Sequence, residues 1–293
     1  MSQYASTITR TGAPVERRLD ASAVLRAVGN EVAKGLLAGW GERTQILIEL
    51  PLFVGFALLM AAVVGKGEAI ATGPVDWSLD PYQTTWIFLG FIVFMFYYLQ
   101  TAKLFWRLLG EIQTGTLEQV YLSPLPSWLV AAAGRMVAAV VETFLVVAAA
   151  YLTIALLVDL DIRWRAEAVL PLLFLVAGGV GYSLVIGGAT LVWKRIELIN
   201  DALLAVLFLF GGLLMPLDRM PDWAAAVARL VPVAHAAQSL RNVLLDGQSF
   251  FTLGGDGGLI WLTTTTGAWL IAGALTFHLG ERTAKRRGSL SRY

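Results

Sequence analysis

The chain has 293 residues, 57% of them hydrophobic, with a net charge of +1 and a mean hydropathy of +0.68. Soluble domains are typically about 45–50% apolar, so this composition excludes an ordinary soluble domain, and the near-zero charge removes the electrostatic case for nucleic acid. There is no cysteine, hence no disulfide, thiolate nucleophile or Cys-ligated metal, and the two histidines, His235 and His278, stand too far apart in sequence to suggest a metal site.

A spanning helix needs about 20 mostly apolar residues. Six stretches qualify: 46–64, 85–106, 128–158, 168–193, 199–216 and 259–279. The expected fold is an all-α polytopic membrane protein with six transmembrane helices. No internal repeat is visible, which leaves inverted-repeat transporter folds without support.

Residues 1–20 mix Ser, Thr, Gly and Pro with Arg10, Arg17 and Arg18. No apolar stretch directly follows these charges, so a disordered cytoplasmic tail is expected in place of a signal peptide. From 21 to 40, Leu25, Val28, Val32, Leu36 and Trp40 follow helical spacing, with Arg26, Asn30, Glu31 and Lys34 opposite. This predicts an amphipathic helix lying in the membrane interface with Trp40 at headgroup depth.

The first span carries Glu49 and Pro51 near its start and is ended by Gly65, Lys66 and Gly67. The second is dense in aromatics, among them Trp86, Phe88, Phe91, Phe94, Tyr97 and Tyr98. Such residues either line a path for an amphiphilic substrate, for which Trp86 and Phe94 are candidates, or pack against neighbours and lipid. Lys103 and Arg107 close the span.

Residues 110–128 read GEIQTGTLEQVYLSPLPSW, too polar for lipid. Ile112, Leu117, Val120 and Tyr121 can share one helical face, with Glu111, Gln113, Glu118 and Gln119 on the others. Pro124 and Pro126 stop the helix near Leu122. A short amphipathic helix, pinned at the membrane surface between two spans, is predicted.

The pattern E-x-x-x-G-T-L-E-Q-x-x-x-S-P-L-P is formed by Glu111, Gly115, Thr116, Leu117, Glu118, Gln119, Ser123, Pro124, Leu125 and Pro126. It resembles the cytoplasmic loop after the second span of type-2 ATP-binding-cassette (ABC) transporter permeases. The resemblance implies that Glu111, Gly115, Thr116, Leu117, Glu118 and Gln119 belong to a coupling helix seated in a groove of a separate ATPase subunit. It also implies that the helix at 21–40 is the family's elbow helix. Amphipathicity alone leaves open a plainer role, a helix lying in the headgroups to tie two spans together.

The third stretch, 31 residues, is roughly 46 Å long as a helix and exceeds the ~30 Å hydrocarbon core, so it must tilt, break or project beyond the membrane. Glu142 lies near its middle, where a carboxylate faces protein or a water-filled cavity. Contact with a cationic substrate or a proton, and a hydrogen-bonded structural role, both fit. Residues 159–167 form a short external turn.

The fourth span carries Gly178, Gly179, Gly181, Gly187 and Gly188, which permit close helix approach and bending. Gly181-Tyr182-Ser183 is not a hydrolase elbow, because Val185 stands where a glycine is required. Lys194 and Arg195 turn the chain into the fifth span, which has Asp201 near its start and ends at Gly211, Gly212 and Pro216.

Two short helices follow, 222–230 and 233–245, split by Pro232. Neither is long enough to span, so re-entrant or external helices shielded by protein are expected before the last span. The order Gly212, Pro216, Met220, Pro221, Pro232, Arg241 is similar to the same family's segment at this place. Residues 254–258 (GGDGG) suggest a flexible entry to the last span and lack the lysine of a phosphate loop. The basic tail 281–293 bears on orientation and lipid contact.

Of the 22 Lys and Arg, fifteen fall on one side of this arrangement and six on the other. That bias puts both termini in the cytoplasm of a plasma (inner) membrane protein whose transmembrane domain runs from 21 to 280. No G-x-x-x-x-G-K-[ST] occurs, so the chain is not expected to be an enzyme or to bind a cofactor itself. The resemblance implies an exporter driven by ATP and Mg on the ATPase subunit, present in two copies. A second permease copy or paralogue would complete the path, with lipid around it and a small amphiphilic, drug-like or lipid cargo. The rival is an ion-coupled secondary transporter or channel using Glu49, Glu142 and Asp201. An intramembrane enzyme lacks clustered catalytic groups.

Overall fold

A computed structural model describes residues 21–41, 43–64, 80–117, 127–193, 197–213 and 215–287. They form α1 (Ala21–Gly41), α2 (Arg43–Val64), α3 (Pro81–Thr114), α4 (Ser127–Leu157), α5 (Val169–Val192), α6 (Glu197–Phe210), α7 (Asp222–Arg229), α8 (Pro232–Leu244) and α9 (Leu259–Arg287). Among the described residues, four segments, Pro81–Thr114, Ala133–Leu157, Ala166–Val192 and Leu259–Arg287, are long and apolar enough to cross a membrane. α2 and α6 supply shorter apolar stretches, Leu47–Val63 and Asn200–Phe210, at the places of the first and fifth expected spans. Among the described residues there is no strand, and the protein is an all-α polytopic membrane protein.

α3 is the hub, packed against α2, α4, α5 and α8. Its start is set by Asp80, whose carboxylate accepts from the Gln83 amide at 3.3 Å, with Pro81 in the first turn where its missing N–H costs nothing. It ends at Gly115, which takes φ +72°, a left-handed conformation glycine adopts freely. Thirty-four residues make a helix of roughly 51 Å, longer than the hydrocarbon core. Half of its aromatics, Phe88, Phe91, Phe96, Tyr97 and Phe105, are buried in the bundle. In lipid such burial acts through van der Waals packing more than through release from water.

Small residues set the closest helix contacts. α5 and α9 run parallel, with Gly181 and Gly188 facing Gly273 and Gly280. A Cβ on Gly181 would lie 2.6 Å from the Trp269 carbonyl carbon, and one on Gly188 would lie 2.5 Å from the Thr276 carbonyl. Only glycine allows backbones this near. α1 runs parallel to the first half of α4 in the same manner: Gly35 abuts Ala138, Gly134 abuts Glu31, and Gly39 abuts Glu142. The apolar stripe predicted for α1 lies beside this contact: Val28 and Val32 are half-buried, whereas Leu25 and Trp40 are both 71% exposed. That orientation suits a helix whose greasy face meets lipid.

We call the end of the bundle that holds Gly115 and the start of α4 the base. The far end holds α7 and α8. α8 is about 20 Å long, too short to cross, and Val233, Ala236, Ala237, Leu240 and Val243 are buried against α3 and α5. This is the shielded short helix expected from Pro232 and the apolar stripe. His235, buried, has Nε2 3.0 Å from the Arg229 carbonyl, while Nδ1 accepts from the Gly257 amide at 3.4 Å. Its ring stacks on Trp261 at 5.5 Å. Residues 254–258, expected to be flexible, are thus held, and Asp256 adds an ion pair to Arg229 at 2.9 Å.

Candidate functional site

The segment 110–126 divides where the structure places Gly115. Residues Gly110 to Thr114, expected to open a separate amphipathic helix, complete α3, and the chain then turns at Gly115. Thr114 caps this end through its hydroxyl, 2.9 Å from the Gly110 carbonyl and 3.0 Å from the Thr116 hydroxyl. Thr116 is exposed, whereas Leu117 is fully buried in a cluster with Leu108, Ile112, Met136, Leu191 and Phe277. Leu117 therefore anchors the turn to α3, α4, α5 and α9 together. Glu118 and Gln119 lie outside the described residues.

Glu111 does not face solvent. Its carboxylate accepts from Arg135 of α4 and from Lys34 of α1, the latter at 2.9 Å, and its side chain is 15% exposed. Glu31 stands 3.8 Å from Lys34 on the same side. Farther along the bundle, Glu142 of α4 accepts from Lys103 at 2.9 Å and from Arg107 at 2.7 Å, both on α3. All three side chains are at most 13% exposed. Two charge clusters, the first open to solvent at Lys34 and the second buried, thus join α3 to α4, and α1 lies over both. Pairing resolves the cost of a carboxylate at this depth. Glu142 is held by fixed cations of the chain itself.

A second feature opens on the other side of α3. A cleft of about 770 Å³ lies between α2, α3 and α6. Its walls are aromatic: Phe53 and Phe56 from α2, Phe91, Phe94 and Tyr98 from α3, and Phe208 from α6. Phe94 and Phe208 meet edge to face at 5.2 Å, and Phe53 meets Tyr98 at 5.7 Å. Glu49 of α2 and Asp201 of α6 also line it. Both acids sit near the starts of their helices, so they mark the base side of the cleft, with Phe56 and Phe208 farther toward the other end.

Trp86 serves a different contact. The buried guanidinium of Arg241 in α8 lies 3.4 Å from the centre of the Trp86 ring and donates to the Trp86 carbonyl at 2.9 Å. It also donates to the Gly212 carbonyl at 2.6 Å, so one side chain holds α8 to α3 and to the end of α6. Cation–π contact and carbonyl acceptors together allow a buried guanidinium without a carboxylate.

Of the residues considered for a translocation path, Phe94 lines the cleft, while Trp86 and Glu142 are absent from its lining. Of the three acids considered for an ion path, Glu49 and Asp201 share the cleft and Glu142 lies with Lys103 and Arg107. The sequence singled out neither Arg135 nor Gly39, and it placed Lys34 on the polar face of the helix at 21–40 without its Glu111 partner. The seven-residue step from Arg135 to Glu142 on one helix face was the available signal.

Among families of known proteins, the model of the ABC-2 type transporter matches residues 31–245. The matched region takes in the base, both charge clusters, the cleft and α8. No curated protein matches the chain.

Proposed function

The chain belongs to the ABC-2 type transporter family, and we propose that it is the permease subunit of an ATP-driven exporter that moves a small amphiphile out of the cell. It works with a separate ATPase, which holds the ATP and Mg in two copies, and with a second permease copy or paralogue. Both termini and the base face the cytoplasm of the plasma membrane. The segment around Gly115, Thr116, Glu118 and Gln119 is the ATPase contact. The cleft that contains Phe94 is part of the cargo path.

The observation that carries this reading is the construction of the base. Leu117 is buried in a cluster drawn from four helices, and Glu111, three residues before the end of α3, is tied to α4 and α1. A push on Gly115 and Leu117 therefore reaches α3 and α4 as one body. In a two-state cycle, ATP must bind one arrangement of the complex more tightly than the other for the cargo site to be moved. A rigid link from turn to spans is what converts that preference into a change at the cleft.

The test is co-expression of the full chain with an ATPase subunit, followed by joint purification and uptake of a fluorescent amphiphile into inside-out vesicles. ATP-dependent uptake supports the proposal. Uptake driven by an ion gradient and unaffected by loss of the ATPase favours the secondary-transport reading through Glu49 and Asp201.

A further inference from the structure

We infer that His235 is a proton-operated clasp at the far end of the bundle: as a neutral imidazole it ties residues 254–258 to α8, and as an imidazolium it releases them. The clasp works whichever way the chain is inserted. On the orientation proposed above, the acidity it meets is that of the exterior.

The partners of the two ring nitrogens fix the state of the ring. Nδ1 receives the Gly257 amide N–H at 3.4 Å, so it carries a lone pair there. Nε2 lies 3.0 Å from the Arg229 carbonyl, which can only accept, so the proton is on Nε2. One species satisfies both contacts, the neutral Nε2–H tautomer. A second proton can go only to Nδ1, where it points at the Gly257 N–H. Donor then faces donor, and the contact is lost.

The other neighbours of the ring tolerate the charge. Trp261 of α9 stacks on it at 5.5 Å with 13° between the planes, and an indole face also attracts a cation. The Arg229 carbonyl accepts from a charged ring as from a neutral one. The charged side chains that act on the ring are Asp256, from the segment itself, and Arg229, at the end of α7; they pair with each other at 2.9 Å. Burial holds the imidazole below its ordinary value of 6.5 and Arg229 adds to this, against the pull of the Arg229 carbonyl and Asp256. The clasp is therefore closed above about pH 6.5 and loosens as the pH falls below it.

The segment is shaped for this contact. Gly257 takes φ +88°, and a Cβ there would stand 3.0 Å from the Ser239 amide nitrogen of α8. A glycine is what brings an amide in so close at that backbone angle. Release stays local, because Trp269 donates to the Leu230 carbonyl at 2.8 Å and ties α9 to the turn between α7 and α8 independently of the ring.

Hydrogen–deuterium exchange of the full chain in lipid nanodiscs, at about pH 7.5 and about pH 5.5, tests this, with exchange times scaled for the chemical effect of pH on free amides. Protection of 254–258 should fall about tenfold at the lower pH, where an unconstrained imidazole is charged about ten times as often as neutral. α8 and the middle of α9 should keep their protection, and His235→Gln should abolish the response. The chain has two histidines, so nitrogen NMR of histidine-labelled protein, with His278→Gln to assign the signals, reads the ring without altering it. The expected species near pH 7.5 is the Nε2–H tautomer. A proton on Nδ1 at that pH, equal protection of 254–258 at both pH values, or a pH response that persists in His235→Gln each overturns the clasp.

Discussion

Glu142 occupies the space that a side chain on Gly39 would need: a Cβ at position 39 would stand 2.5 Å from the Glu142 carboxyl carbon. The carboxylate cannot simply swing aside, because Lys103 and Arg107 hold it from α3. The glycine of α1 and the acid of α4 are therefore one fitted unit. Gly39→Ala should cost about 1–3 kcal/mol, the usual range for overpacking a tight site. In an Glu142→Ala background the same substitution should cost little, since the added methyl enters vacated space. Thermal unfolding of the four corresponding proteins in detergent measures this non-additivity. Equal effects of Gly39→Ala in both backgrounds would contradict the fitted contact.

Glu142→Gln should itself be strongly destabilising, by about 3–5 kcal/mol, because it leaves Lys103 and Arg107 as buried cations without a counter-charge. Both side chains are at most 13% exposed. A substrate or proton role for Glu142 predicts the opposite pattern, a stable protein with altered transport. Unfolding midpoint and transport rate, read on the same preparation, separate the two.

At the base, Gly115→Val places a β-branched residue at φ +72°, a conformation that such residues adopt only under strain. Glu118→Arg reverses a charge on the proposed ATPase contact. Each should lower ATP-driven transport about tenfold, within the usual span of coupling free energies, while ATP hydrolysis persists and membrane insertion is unchanged. Transport at the parental level in both variants would remove the coupling assignment.

Arg241→Met removes the added donor to the Trp86 carbonyl, which keeps its place in the α3 ladder, and leaves the buried Gly212 carbonyl without its donor. The expected loss is about 1–3 kcal/mol, from one acceptor left unpaired. Arg241→Lys should recover only part of it, since an ammonium cannot reproduce the planar stacking on Trp86. Limited proteolysis near 211–232 reports on the detachment of α8.

His235 gives a pH dependence with a definite sign. Burial holds its imidazole below the ordinary value of 6.5, outweighing the opposing pull of the Arg229 carbonyl. The unfolded chain thus takes up a proton that the folded chain refuses. Stability is full above about pH 6.5 and declines as the pH falls below it. The charged ring would also lose its acceptor contact with the Gly257 amide. His235→Gln should flatten that decline, and unfolding midpoints between pH 7.5 and about 5 check it.

The parts of the fold that were legible in the sequence were those governed by local rules. Pro232 and the stripe Val233, Ala237, Leu240, Leu244 gave α8 to within a residue, and the length of the third apolar run matched α4. What local rules missed depended on partners far away in the chain. Lys103 and Arg107 looked like charges that end a span, but α3 continues to Thr114 because Glu142, more than thirty residues on, receives them. Glu111 looked like part of an exposed helical face, yet Arg135 and Lys34 draw it inward. The cleft was half visible: Phe94, Glu49 and Asp201 were each noted, but nothing in their spacing reveals that three separate helices bring them to one wall.

The heptad-spaced glycines that join α5 to α9 limit which parts of the bundle are free to shift. Sliding either helix by a turn would drive side chains such as Leu184 into the facing main chain, so the two behave as a fixed spine with a single setting. Among the described residues, no glycine contact of this kind joins α2 and α6, which are shorter and packed less deeply. Any widening or narrowing of the aromatic cleft therefore falls to those two staves moving against α3, while the spine behind it stays still.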